Sequence, residues 1–185
     1  MSDAHHLTQQ ALTAGFGAVL GSPADDGRLD LIVARPGVDE RLEQEVGRLD
    51  LRAGLIGDNW GARPSSRSAD GGPHPEMQLN VINSRLAALI APDPDRRVLV
   101  GDQLHVDLDL SHENLPVGTR LAIGEAVIEV TAEPHRGCKK FAARFGVEAL
   151  AFISTPEGRD RRLRGLNAKV VTPGVVRRGD RVHKL

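Results

Sequence analysis

The chain has 185 residues, 40% apolar and 26% charged, with a formal net charge of −1 at pH 7. That length suits one domain with a buried core. A lone Cys excludes an internal disulfide and a four-thiolate zinc or iron–sulfur site. Only 3% aromatics, with no Tyr, speak against a stacking platform for single-stranded nucleic acid, which is not an expected partner. No apolar run approaches the roughly 18 residues of a membrane span. The start, MSDAHHLTQQ, lacks the basic and apolar regions of a secretory signal, so a cytoplasmic protein is expected.

In chain order, the apolar run Phe16 to Leu20 and the run Leu29 to Val33 flank a turn-rich stretch and predict a hairpin with a long loop. Val38 to Asp50 is charged and reads as a surface helix interrupted by Gly47. GLIGDNWG follows, Gly-punctuated and carrying the only Trp. Residues 62–76 have no period and are full of Pro, Gly and Ser, which predicts a long flexible loop or flap. Met77 to Ile82 reads as a strand. Asn83 caps a short helix that Pro92 ends, and DPDR is a turn. Leu104 to Leu110 alternates strictly, with His105, Asp107 and Asp109 predicted to face away from the core. Thr119 to Ile123 and Ala126 to Thr131, split by Gly124-Glu125, form a tight hairpin. Cys138 to Phe145 is a helix with a stop or kink at Gly146, and Val147 to Ile153 a second helical piece. Lys169 to Val171 and Val175 to Val182 return to strand. The pattern is mainly β with a few short helices, a barrel or sandwich.

Charge is unevenly placed. From Pro134 onward there are 13 Lys and Arg against 4 Asp and Glu, a net +9, while the first 133 residues carry −10. A basic final quarter points to an anionic ligand, or to a solvated face paired with the acidic part of the same fold. Arg159, Arg161, Arg162 and Arg164 form one basic cluster there, of a residue type that binds phosphate bidentately. No Walker sequence and no HExxH motif occurs, so nucleotide hydrolysis and a zinc-hydrolase centre find no support.

The single Cys138 lies in HRGCKKF, flanked by His135, Arg136, Lys139 and Lys140, where a helix begins. A helix start and cationic neighbours favour the thiolate, the form that attacks electrophiles and binds soft metals. The plain alternative is a buried, inert thiol. Phe141 and Phe145 form an i,i+4 pair, and Phe152 joins their face if the helix runs through Gly146.

From Gly101 onward three features recur in order: Asn114 to Gly118 before a strand, Cys138 after a strand rich in Val, Ile and Glu, and Arg164-Gly165 leading through Gly174 to Gly179-Asp180. This order resembles the MOSC domain family, named for the C-terminal part of molybdenum cofactor sulfurases. The match is best over 101–182, and GLIGDNW extends it loosely upstream. The resemblance implies one domain over 1–185, a closed β-barrel similar to the pyruvate kinase barrel domain. It implies the molybdenum cofactor, a molybdopterin with Mo, as ligand. Cys138 would be the catalytic residue, as sulfur carrier or as thiolate ligand of the metal. Asn114, His135, Arg136, Lys139, Lys140, Arg164 and Asn167 become the candidate cofactor-binding residues. The activity implied is sulfur transfer or molybdenum-dependent reduction of N-hydroxylated substrates. A cysteine desulfurase or a separate electron-transfer protein would be the partner. Pyridoxal phosphate belongs to a partner domain absent here and is not expected to bind. Many relatives carry a basic residue after Gly57-Asp58, where this chain has Asn59. A different class of function also fits the residues: a non-catalytic barrel that binds an anionic ligand or a partner protein.

Overall fold

The computed structural model describes residues 6–185; residues 1–5, part of the start read above for a leader, lie outside the described residues. Seven strands close a mixed barrel. In chain order they are β1 (Gly27–Ala34), β5 (Leu79–Asn83), β6 (Leu104–Asp107), β7 (Arg120–Ile123), β8 (Ala126–Val130), β9 (Leu166–Thr172) and β11 (Arg181–Lys184). Around the barrel the order is β11-β7-β8-β9-β5-β6-β1. Closure comes from β1 against β11, with Gly27 opposite Val182 and Arg28 opposite Arg181. β5 and β6 run parallel, Val81 opposite Leu104, and the other barrel pairs are antiparallel. The short β2 (Leu42–Gln44) extends β1 at an edge. β3 (Val46–Asp50), β4 (Gly54–Leu55) and β10 (Gly174–Arg177) form a separate three-stranded sheet.

Alternation decides the barrel interior. Leu104, Val106, Leu108 and Leu110 all point inward and are at most 2% exposed. Leu121, Ile123, Ile128 and Val130 line the same core from the predicted β7–β8 hairpin. A second core lies outside the barrel, where helices cover it. α1 (Gln9–Leu20), α2 (Ser84–Ile90), α4 (Lys139–Phe145) and α5 (Val147–Ser154) bury Leu12, Leu86, Ile90, Phe141, Phe145 and Ile153 together. Two single-turn helices complete the chain, α3 (Pro94–Arg97) and α6 (Pro156–Asp160). Asn83 caps α2 as its position predicts, its Oδ1 accepting from Leu86 N at 2.9 Å.

Several sequence expectations are corrected. Phe16 to Leu20 is not a strand but the end of α1. Thr8 caps that helix, and Leu12 and Val19 face inward at helical spacing. The helical period is visible only when the polar residues from Gln9 onward are taken together with the apolar run. Val38 to Asp50 is not a helix. Gly47 and Leu49 alternate inward along β3, and Gly47 pairs with Val176 of β10. A Cβ on Gly47 would sit 3.0 Å from Leu55 and 3.2 Å from Ile32, so the glycine that looked like a helix interruption is an inward strand position. Sheet pairing outweighs the local helix preference of the charged residues. DPDR is a single turn of helix rather than a simple turn, and Val175 to Val182 is two strands on two sheets. α4 ends at Gly146, whose φ is 93°, so Phe152 leaves the Phe141–Phe145 face and packs edge-on against Phe16 of α1, centroids 5.3 Å apart.

His105 is also corrected. It does not face solvent, because α2 packs over the outer side of β6 and leaves it 1% exposed. Burial, and then the charge of Arg164, lower its pKa to about 4. The imidazole is therefore neutral in the folded state and takes up a proton more readily when unfolded. Its contribution to stability is complete above pH 6.5 and is lost as pH falls toward 4. Between pH 7.5 and 4.5 the fold is expected to lose on the order of 2–3 kcal/mol through this residue. Urea unfolding of the wild type and of His105→Gln at both pH values measures it, and the variant should lack that part of the acid sensitivity.

Candidate functional site

Strand ends and the loops after them build one cavity of about 480 Å³. Arg35 stands directly after β1, at the rim. Its Nε and Nη2 hold the two oxygens of Asp58 at 2.7 and 3.0 Å, and Nη1 donates to Asn80 Oδ1 at 2.8 Å and to the Gly101 carbonyl at 3.0 Å. The Asp58 side chain is fully buried. It also accepts from the backbone N–H groups of Arg35 and Trp60, so the Gly57-Asp58 segment serves to fix Arg35.

Arg164 enters from the turn before β9. Its Nη1 donates to Asp102 Oδ2 at 2.6 Å and its Nη2 to the Val100 carbonyl at 3.3 Å. Its guanidinium carbon lies 5.3 Å from the centre of the Phe141 ring. Asp102 is wholly buried; burial holds its carboxyl above the ordinary range, and the charge of Arg164 offsets that only in part. His135 Nδ1 lies 3.2 Å from Asp102 Oδ1, yet both atoms are buried without a hydrogen-bond partner. Burial first, then Arg164 and Arg35, hold His135 well below its ordinary pKa, so the imidazole is neutral.

Cys138 follows on the same loop. It is the N-cap of α4 and is exposed, and it lines the cavity. The Phe141–Phe145 pair, centroids 5.2 Å apart, anchors α4 beneath it. Lys140 and Arg144 reach the mouth from α4, and Arg41, Arg63, Trp60 and His74 reach it from the loops. The loop over 62–76 therefore walls the site with Arg63, Pro64, Ser65 and His74. Arg67 ties that loop to Glu133 at 2.9 Å, and Ser65 N bonds the Gly72 carbonyl at 3.0 Å.

Seven Lys and Arg line this cavity against one acid, Asp39, among the described residues. Arg41 is lowered from its ordinary pKa by burial and then by Arg144 and Arg35. Arg63 is lowered by burial and then by Arg35. Cations that crowd one another in a part-buried space make a site that gains by taking up an anion.

Of the sequence candidates, His135, Arg136, Cys138, Lys140 and Arg164 come together on the wall. Lys139 is exposed and does not line it. Asn167 is fully buried behind the wall, where its Oδ1 accepts from Asn80 at 2.6 Å and its Nδ2 donates to the Glu133 carbonyl. Asn114 is placed away from the cavity. It donates to the Ala24 and Asp109 carbonyls and accepts from Lys184 at 2.9 Å, a turn-fixing role. Within the basic cluster only Arg164 reaches the site. Arg161 pairs with Glu157, and Arg162 is buried with Nη1 on the Leu115 carbonyl at 2.6 Å. Sequence reasoning missed Arg35, Arg41, Arg63, Arg144, Asp58 and Asp102. Arg35 carried a signal, a charged residue ending an apolar strand. The others did not.

A family model described as the MOSC domain matches residues 75–183. Among solved structures, the YUAD protein from Bacillus subtilis is similar over 86% of this chain and 96% of that one, with a TM-score of 0.59 and 17% identity. YiiM from Escherichia coli is similar over 85% of this chain and 69% of that one, with a TM-score of 0.54 and 19% identity. YiiM from Geobacillus stearothermophilus covers 86% of this chain and 75% of its own, at 0.54 and 15%. At such identities the likeness carries the fold. No curated protein matches the chain significantly by sequence. No helix among the described residues is long and apolar enough to cross a membrane.

Proposed function

The chain belongs to the MOSC domain family, and on that premise we propose that its basic cavity holds the molybdenum cofactor, with the Cys138 sulfur as the protein's own reacting group. The observation that carries this reading is the single cysteine, exposed on the wall of a cavity into which Arg35, Arg41, Arg63, Arg144 and Arg164 converge. The donor set suits an anionic phosphate-bearing cofactor. Arg41 Nε and Arg164 Nε are buried without partners, and the Asn59 side-chain oxygen is an unused acceptor. Asn59 lines the site, and the neighbouring loop brings Arg63 to the same wall.

Arg41, Arg63 and Arg164 would hold the cofactor's phosphate by charge-assisted hydrogen bonds. Cys138 would offer Sγ to the metal or carry a sulfur on it. When bound, the cofactor supplies a metal centre that exchanges oxygen or sulfur with a substrate in a two-electron step. The Arg35–Asp58 and Arg164–Asp102 pairs hold the wall in place, and Trp60 and Met77 give it an apolar side. His135, held neutral by burial and by the neighbouring guanidinium groups, sets a polar group in the cavity wall without adding charge, its Nδ1 3.2 Å from Asp102 Oδ1. The reaction is sulfur transfer through Cys138, with a cysteine desulfurase as donor, or reduction of an N-hydroxylated substrate. The reduction consumes two electrons from a separate redox protein and two protons, and it releases water.

Expression in a host that makes the cofactor and in one that does not tests the reading. Molybdenum content, and pterin released on oxidation, should be high in the first and at background in the second. Cys138→Ser should bring either the molybdenum or the persulfide formed with a cysteine desulfurase to background. Wild-type protein with neither signal would make the barrel a binding module for another anion.

A further inference from the structure

At the cavity mouth the molecule fills an anion site with its own carboxylate. Asp39 sits on the turn after β1 with φ at 61°, the left-handed region that non-glycine residues rarely occupy. Its carboxylate accepts from Arg144 Nη2 at 2.7 Å and from Lys140 Nζ at 3.2 and 3.4 Å. Arg144 is fixed from behind, its Nη1 donating to the Leu99 carbonyl at 2.9 Å. Arg41 lines the same mouth, with its Nε buried and unpartnered.

The deep and the outer cations differ in how they are neutralised. Arg35 and Arg164 have dedicated acids, Asp58 and Asp102, whose side chains are fully buried. Lys140 and Arg144 share one acid, Asp39, whose side chain is 58% exposed, and Arg41 stands beside them with no ion pair of its own among the described residues. A buried partner cannot leave without stranding a charge, whereas an exposed one regains water when it swings out. Asp39 stays ionised well into the acid range, because Lys140 first, and then Arg144 and Arg41, hold its carboxyl below the ordinary value. It is therefore a permanent anion at neutral pH.

We propose that Arg41, Lys140 and Arg144 form a recognition subsite for a carboxylate carried by the substrate, and that Asp39 is its displaceable internal plug. The occupant the site already accepts is a carboxylate held by two donors, which is why that chemistry is assigned. The proposal names the substrate class for the function given above and rests on reading this cavity as the reacting site. Its test needs no metal, so it succeeds or fails separately from the molybdenum measurement.

The probe is acetate, titrated into cofactor-free protein at about 0.15 M salt, where the Debye length of ~8 Å screens charges that do not touch the ion. Binding is followed through the Arg side-chain NMR signals. Asp39→Asn keeps a residue that tolerates the left-handed backbone, and an unchanged melting temperature confirms the fold. It is expected to tighten acetate about tenfold, since it removes a competing ion at contact distance. Glu40→Gln removes the neighbouring charge and should change the affinity less than about twofold at that screening. Arg144→Gln added to Asp39→Asn should abolish the gain. Equal effects of Asp39→Asn and Glu40→Gln would reduce the plug to a general field effect and overturn the proposal. So would acetate binding that survives loss of Arg144.

Discussion

Asp102→Asn is expected to cost about 3–5 kcal/mol of folding stability, read as a lower urea midpoint with an unchanged slope. The carboxylate is wholly buried and is the close partner of Arg164 at 2.6 Å. Removing its charge leaves a guanidinium 10% exposed, with Arg35 and Arg41 nearby and no buried counter-ion of its own. Such stranding is costlier than the pair is stabilising, because desolvation of two charges already offsets most of their attraction. A second substitution separates the two effects. Arg164→Met on the Asp102→Asn background removes the stranded charge and should recover most of the loss. If the double variant is as unstable as the single one, the deficit lies in packing around Asp102 and not in charge.

Gly165→Ala is expected to cost about 4 kcal/mol, by sum of left-handed strain and main-chain overlap. Gly165 has φ at 98°, and a Cβ there would lie 2.3 Å from the Val81 carbonyl oxygen, which is backbone and cannot rotate away. Strands β5 and β9 would have to separate, and Arg164 would move off Asp102. Gly118→Ala is the control. Its φ is 89°, but a Cβ would meet nothing within 4 Å. It should show the strain alone, about 1–2 kcal/mol. Thermal or urea unfolding of the two variants measures the difference. Similar costs would mean that the close approach at Gly165 is relieved by small shifts.

The parts of the fold legible in the sequence are those where local pattern and tertiary packing agree. Leu104 to Leu110 alternates because one face fills the barrel, and the β7–β8 hairpin is set by a two-residue turn at Gly124-Glu125. Asn83 signals α2 through a cap that is itself local. The parts not legible are those where the two disagree. The charged stretch over β2 and β3 has helix-forming residues, yet β2 pairs with the preceding β1 and β3 with β10, which lies near the other end of the chain. His105 alternates outward, but no pattern reveals that a helix will cover that outer face.

The site divides the same way. The sequence by itself determined that one thiol stands at a helix start among cations, that the final quarter is basic, and that the motif order is that of the MOSC family. These are short-range facts, carried by neighbours in the chain. Only the tertiary structure decided which cations serve the site. It brought Arg35, Arg41 and Arg63 from the acidic first part of the chain to face Arg144 and Arg164, and it sent Asn114 elsewhere. The physical reason lies in the barrel closure. It lays loops distant in sequence around one rim, and that rim, not the run of residues beside Cys138, sets the field at the sulfur.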